Sequence, residues 1–173
     1  MANYSGYVTL PIDSYASWRS AVNNNGYDVD GYPPDQPYQC WDLTAEFWWN
    51  AGFPQGYPTL AGTGSAYGAW DDRVQNAGND FDLIYSKTQI KRGDVIVFNY
   101  YTGNPYGHIG FADEDYNGTD TISILSQNNG APLCNVFVEY TKISSGKFLS
   151  GELTQSLVMS WVYPAGSPLA PAK

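Results

Sequence analysis

Apolar and polar positions divide the chain into a helical first part and a strand-rich second part. Ile12, Tyr15, Ala16, Trp18, Ala21 and Val22 recur at three- and four-residue spacing, predicting an amphipathic helix over 12–25 with Asp13 or Ser14 as cap. Residues 26–39 are broken every few positions by Gly, Pro and Asp and read as a loop. A second helix is expected from Cys40 to Ala51, burying Leu43, Phe47 and Ala51, with Trp48 widening the face. Breakers fill 52–65, and Tyr67, Trp70 and Val74 predict a third helix over 66–77. Beyond it the period changes to two. Strands are expected at Asp94–Asn99, His108–Asp113, Thr121–Gln127, Val136–Thr141 and Leu157–Tyr163, separated by turn signals. Helices first and short strands afterwards imply an α+β fold with an antiparallel sheet.

At 173 residues the chain fits one domain, extending to about residue 163. The Pro- and Ala-rich segment 164–173 reads as a linker toward a possible further domain or as a frayed tail. A net charge of -9, with eight Lys and Arg in no run, opposes nucleic-acid binding and favours cations or a neutral or cationic substrate. No apolar stretch reaches the roughly 18 residues that span a bilayer, so integral membrane association is not expected. The start, MANYSGYVTLPID, carries neither a basic leader nor an apolar core, so no signal peptide is expected, and the chain is expected to be made in the cytosol or to be a mature domain. Fifteen Tyr and six Trp outnumber seven Phe, favouring rings with a polar edge, as used in wet grooves. Trp41, Tyr57, Tyr67, Trp70 and Tyr106 are candidates to line one.

Two cysteines and one histidine limit the chemistry. A single His excludes zinc sites of the two- or three-histidine kind. Cys40 follows loop residues and opens a helical pattern, where amide N–H groups and the helix dipole favour a thiolate over a thiol. That suits a nucleophile; a cysteine buried under the helix is the alternative. His108 lies in YGHIGFA, between glycines at a strand start, with room to take a proton from Cys40 and return it to a leaving amine near neutral pH. Ser126 and Asn128 are two apart and share a face if the strand persists, so either is placed to hold the imidazole, Asn128 more strongly. Gln39 is placed to donate to an oxyanion beside the Cys40 amide. Cys134 is then a bystander.

These residues make the chain similar to the CHAP family, the cysteine- and histidine-dependent amidohydrolases and peptidases, especially bacteriophage endolysin catalytic domains. The matching segments are DVDGY and QCWDL within 28–43, RGDVIVF at 92–98, GHIGFA at 107–112 and ILSQN at 124–128. The resemblance implies a papain-like fold, Cys40 as nucleophile and His108 as base. It implies peptidoglycan as substrate, cut within its peptides or between muramic acid and L-alanine. Related domains carry Glu where this chain has Ser126, which leaves Asn128 as the better orienter. The resemblance also implies a structural Ca²⁺ held by Asp28, Asp30, the Tyr32 carbonyl and Asp42, and clustered carboxylates agree with a hard cation. Asp35 is either a further ligand or decoration of a longer loop.

The function expected is a cysteine peptidoglycan hydrolase of an endolysin, endopeptidase or amidase, made in the host cytoplasm and acting on the wall. Two alternatives stand beside it: a silent calcium-dependent wall-binding module, and an intracellular papain-like peptidase.

Overall fold

A computed structural model describes residues 2–10, 15–32, 38–50, 52–72, 75–76, 81–84, 87–98, 105–118, 121–128, 136–142 and 158–161. The chain forms two compact units. The first comprises 1–58, 126–137 and 163–173; the second comprises 59–125 and 138–162.

In the first unit β1 (Asn3–Ser5) pairs in parallel with β2 (Gly26–Asp28), and the Tyr4 and Tyr27 rings stack at 5.1 Å across the pair. Between them α1 (Tyr15–Val22) buries Tyr15, Trp18 and Val22, three of the positions that the helical spacing selects. Helix α2 (Cys40–Asn50) departs from the amphipathic expectation, because every residue from Asp42 to Trp48 is buried. Leu43, Phe47 and Trp48 pack in the core, with the Trp18 and Phe47 rings edge-on at 4.6 Å. Its buried Asp42, Thr44 and Glu46 side chains are bonded, as burial requires. Glu46 accepts the Val8 N–H (3.1 Å to Oε2) and the Asn50 side-chain amide (2.9 Å), and Asn50 Oδ1 accepts the Leu10 N–H (2.8 Å). Burial still raises the Glu46 carboxyl pKa to about 7.

In the second unit α3 (Gly68–Asp71) is one turn, much shorter than the 66–77 helix expected. Gly68 explains the tight local packing: a Cβ there would meet Leu60 O and Thr63 Oγ1. Strands β3 (Phe81–Ile84), β4 (Val95–Phe98), β5 (His108–Ala112), β6 (Thr121–Gln127), β7 (Val136–Lys142) and β8 (Val158–Trp161) form a sheet of order β3-β8-β4-β5-β6-β7. The pairs β3–β8, β8–β4, β4–β5 and β5–β6 are antiparallel. Five strands fall where the alternation predicts. Strands β1, β2 and β3 were not expected, and β2 lies inside the segment expected to be loop. Strand β4 is wholly buried, reading as a continuous apolar run rather than an alternating one. The sheet after helices makes the fold α+β. Among the described residues no helix is long and apolar enough to cross a membrane.

Candidate active site

Cys40 is half-buried at the first residue of α2. Two features bring it there. Tyr38 takes a left-handed backbone (φ 69°), unusual for an aromatic residue. Gln39 then caps the helix with its own backbone: Asp42 Oδ2 reaches back to the Gln39 N–H at 2.6 Å, the reciprocal half of a capping box. Asp42 N donates to Gln39 O at 3.1 Å, and Asp42 Oδ1 accepts the Val29 N–H at 3.0 Å. A single buried carboxylate thus joins the helix start to the residue after β2. Burial outweighs those two N–H donors, and with help from the neighbouring Asp30 and Asp28 raises the Asp42 pKa to about 8.

The side chain of Gln39 is held as well. Asn128 Nδ2 donates to Gln39 Oε1 at 3.0 Å, which fixes the plane of the Gln39 amide. Asn128 adopts φ 57°, a conformation in which Asn is favoured over most residues. The strand ends at Gln127, so the expectation that Ser126 and Asn128 share a strand face does not hold. Ser126 is fully buried, and its Oγ has no hydrogen-bond partner among the described residues. The residue that sequence reasoning passed over is Gln127. Its buried side chain bonds both Tyr27 and the carbonyl of Gln39. Lying between the two residues selected for one face, it had no signal of its own.

The expected cation ligands also lie in the first unit. Ligand oxygens of Asp28, Asp30 and Asp42 all fall within 4.8 Å of one another. Asp28 Oδ1 accepts the Gly31 N–H (2.7 Å) and Asp30 Oδ1 the Tyr32 N–H (2.8 Å), which folds the turn and uses one oxygen of each carboxylate. Tyr32 is 71% exposed and held in that turn. An all-oxygen set of three converging carboxylates fits a hard divalent ion such as Ca²⁺, and fits poorly with a soft metal. Asp35 and Cys134 lie outside the described residues, as does the 164–173 segment.

His108 opens β5 in the second unit, paired across from Phe98, whose ring stacks on the imidazole at 5.9 Å. It is buried, and burial lowers its pKa to about 4, below the near-neutral titration expected of it. The imidazole is therefore neutral over the whole physiological range. Gly107 makes the approach possible: it has φ 70°, and a Cβ there would collide with Phe98 O and lie 3.2 Å from Tyr67 Cβ.

The aromatic candidates separate. Tyr106, in the second unit, is 66% exposed and available to a ligand. Trp70 is not: at 5% exposure it belongs to the core, because the short α3 turns its Gly68–Trp70 stretch inward. Its assignment to a substrate groove is corrected. Trp41 is half-buried and donates its indole N–H to Pro58 O at 2.7 Å, tying the loop after α2 to the residue following Cys40.

The sequence model of the CHAP domain family matches residues 13–128. A curated relative, the D-alanyl-L-alanine endopeptidase of Streptococcus phage B30, is 34% identical over 119 residues. That match spans 68% of this chain and 25% of the relative. The crystal structure of the wild-type endolysin LysIME-EF1 superposes with a TM-score of 0.58 at 24% identity, covering 86% of this chain and 63% of that one.

Proposed function

Because this chain belongs to the CHAP domain family, we propose that it is a peptidoglycan hydrolase of the endolysin type, acting as a cysteine-dependent endopeptidase on wall peptides. The observation that carries the reading is a cysteine at the first residue of a buried helix, with the preceding residue held at its N–H, its carbonyl and its side-chain oxygen. Rigid support of that kind serves a nucleophile whose neighbours must meet a transition state. The name of the phage B30 relative, a D-alanyl-L-alanine endopeptidase, favours a peptide bond as the target.

In the proposed reaction Cys40 attacks the carbonyl carbon of the scissile amide, forming a C–S bond and a tetrahedral oxyanion. The Cys40 N–H and the Gln39 side-chain amide stabilise that charge. Collapse breaks the C–N bond, and His108 delivers the thiol proton to the departing amine. Water, deprotonated by His108, then displaces Cys40 from the acyl-enzyme and regenerates the thiol. Asn128 serves this scheme as the third polar member; Ser126 has the weaker claim. Tyr106 and the outer edge of Trp41 are the proposed substrate contacts. Asp28, Asp30, Asp42 and the Tyr32 carbonyl would hold Ca²⁺, whose charge would stiffen the turn before Cys40. Targeting by a wall-binding domain joined through 164–173 belongs to the same proposal.

Mass analysis of purified peptidoglycan digested by wild type and Cys40→Ala tests it. New amine termini within the stem or cross-linking peptides are expected from wild type and none from the variant. Free muramic acid lactyl groups would mean amidase chemistry, and no fragments from wild type would refute hydrolysis.

A further inference from the structure

One buried side chain of the first unit bonds three backbone groups, and the proposed reaction does not use it. Gln127 ends β6 fully buried. Its Oε1 accepts the Tyr27 N–H at 2.9 Å, and its Nε2 donates to Tyr27 O at 2.7 Å and to Gln39 O at 2.9 Å. Both amide hydrogens are therefore engaged. The first two bonds close a ring with the Tyr27 backbone, as an added residue of strand would. The third is of another kind, since it leaves the strand for the residue before the thiol.

The atom it holds matters. Gln39 O and the Cys40 N–H belong to one planar trans peptide, so fixing the carbonyl fixes the direction of the N–H, which points the opposite way. That N–H is the proposed oxyanion donor. Asp42 N donates to the same carbonyl at 3.1 Å. Two donors on one carbonyl hold the peptide plane from rotating, and they polarise it so that its N–H becomes a stronger donor.

The geometry points to Gln127 as a positioning residue for acyl transfer, acting through the Gln39–Cys40 peptide on the donor that meets the oxyanion. This rests on the hydrolase reading. Gln127 touches neither substrate nor thiol in this scheme. Its effect is confined to the step in which charge develops on the substrate oxygen, so it should leave reactions of Cys40 that build no oxyanion unchanged.

Gln127→Glu keeps the size and the acceptor for Tyr27 N–H, but sets an oxygen against the two carbonyls; Gln127→Met keeps the length without polarity. Steady-state kinetics on soluble cross-linked muropeptides are compared with the rate of Cys40 alkylation by iodoacetamide, read by peptide mass mapping, at a temperature where each variant is folded. The expected result is a kcat lower by about 10- to 100-fold, as for a misaligned catalytic group, with KM changed less than about threefold. Alkylation of Cys40 should stay within about threefold of wild type. A folded variant with wild-type kcat would overturn the inference, and so would equal losses in kcat and alkylation, which would place the effect on the thiol itself. Failure of both variants to fold would make Gln127 a determinant of the fold and overturn the positioning role. An inactive wild type that still alkylates normally would instead remove the hydrolase reading beneath it.

Discussion

Calcium should stabilise this protein more as pH rises, and Asp42 sets the size of the effect. Its carboxyl is fully buried and its pKa is raised to about 8 in the metal-free fold, against 3.8 ordinarily. The folded, metal-free protein therefore keeps a proton on Asp42 between about pH 4 and pH 8, while the unfolded chain has lost it. Over that window the unfolded state binds fewer protons, so stability falls with rising pH by about 1.4 kcal/mol per unit. A bound Ca²⁺ removes the difference, because Asp42 is then ionised in the folded state as well. From pH 5 to 7.5 the calcium-dependent part of the stability should grow by about 3 kcal/mol, equivalent to a tenfold gain in apparent affinity per unit. For a domain of this size that is a rise of about 6–12 °C in the calcium-induced Tm shift. The assay is thermal unfolding in EDTA and in saturating Ca²⁺ at both pH values. Taking the difference cancels Glu46 and His108, which titrate equally in both samples. Asp42→Asn should abolish the pH dependence of the shift and cost about 1–3 kcal/mol by leaving a backbone N–H against an amide donor. An equal Tm shift at both pH values, or none at either, would refute the assignment of Asp42 to the cation.

The remaining expectations are shorter. Hydrolysis should fall on an acidic limb as His108 is protonated, with the limb well below 6.5 because burial lowers its pKa to about 4; a limb at 6.5 in a pH-rate profile would show that the imidazole is not depressed by burial, and no acidic limb down to pH 4 would remove His108 as the titrating base. His108→Ala should reduce kcat by at least about 100-fold, the usual contribution of a general base, and near-wild-type turnover would exclude that role. Asn128→Ala should lower the hydrolysis rate more than Ser126→Ala, since only Asn128 bonds Gln39 Oε1; the reverse order would transfer the role. Gly107→Ala should destabilise by about 1–3 kcal/mol or more from its positive φ alone, with the Phe98 O collision adding to it, and an unchanged Tm would show that the turn can relax.

The sequence made the periodic elements readable and left the tightly satisfied ones obscure. Strand β6 and the start of α2 fall where spacing places them, because each begins or ends at a turn signal with apolar residues beyond. Helix α2 was misjudged in character. Glu46 and Thr44 look like a solvent face by composition, yet they are buried, with Glu46 bonded to the N-terminal segment through Val8. No spacing rule shows that a partner 38 residues away will cancel the cost of burying a carboxylate. Strand β2 was lost for a related reason. Three residues ending in Asp, beside Gly and Asn, carry too little apolar signal, and the strand exists through its pairing with Asn3–Ser5 and the side chain of Gln127.

The site divides the same way. Cys40, His108 and the acidic trio stood out because their residue types are scarce or clustered, and chemistry alone singles them out. What holds them did not stand out, since the holding groups are common amides. Gln39, Gln127 and Asn128 bond one another and the backbone, and each bond joins residues 88 or more apart or lies within one turn. Their arrangement also changes how Asn128 should be understood. Chain order presents it as a partner for the imidazole, whereas its hydrogen bond is to the residue before the thiol, where it and Gln127 restrain side chain and main chain of Gln39 separately. Two restraints on one residue make a specific demand on kinetics: if Asn128 and Gln127 both work through Gln39, the effects of Asn128→Ala and Gln127→Glu on kcat should be markedly less than multiplicative, as for groups that act on a shared partner. Independent, multiplicative losses would mean that Asn128 serves another group and that the amide cluster is not one device.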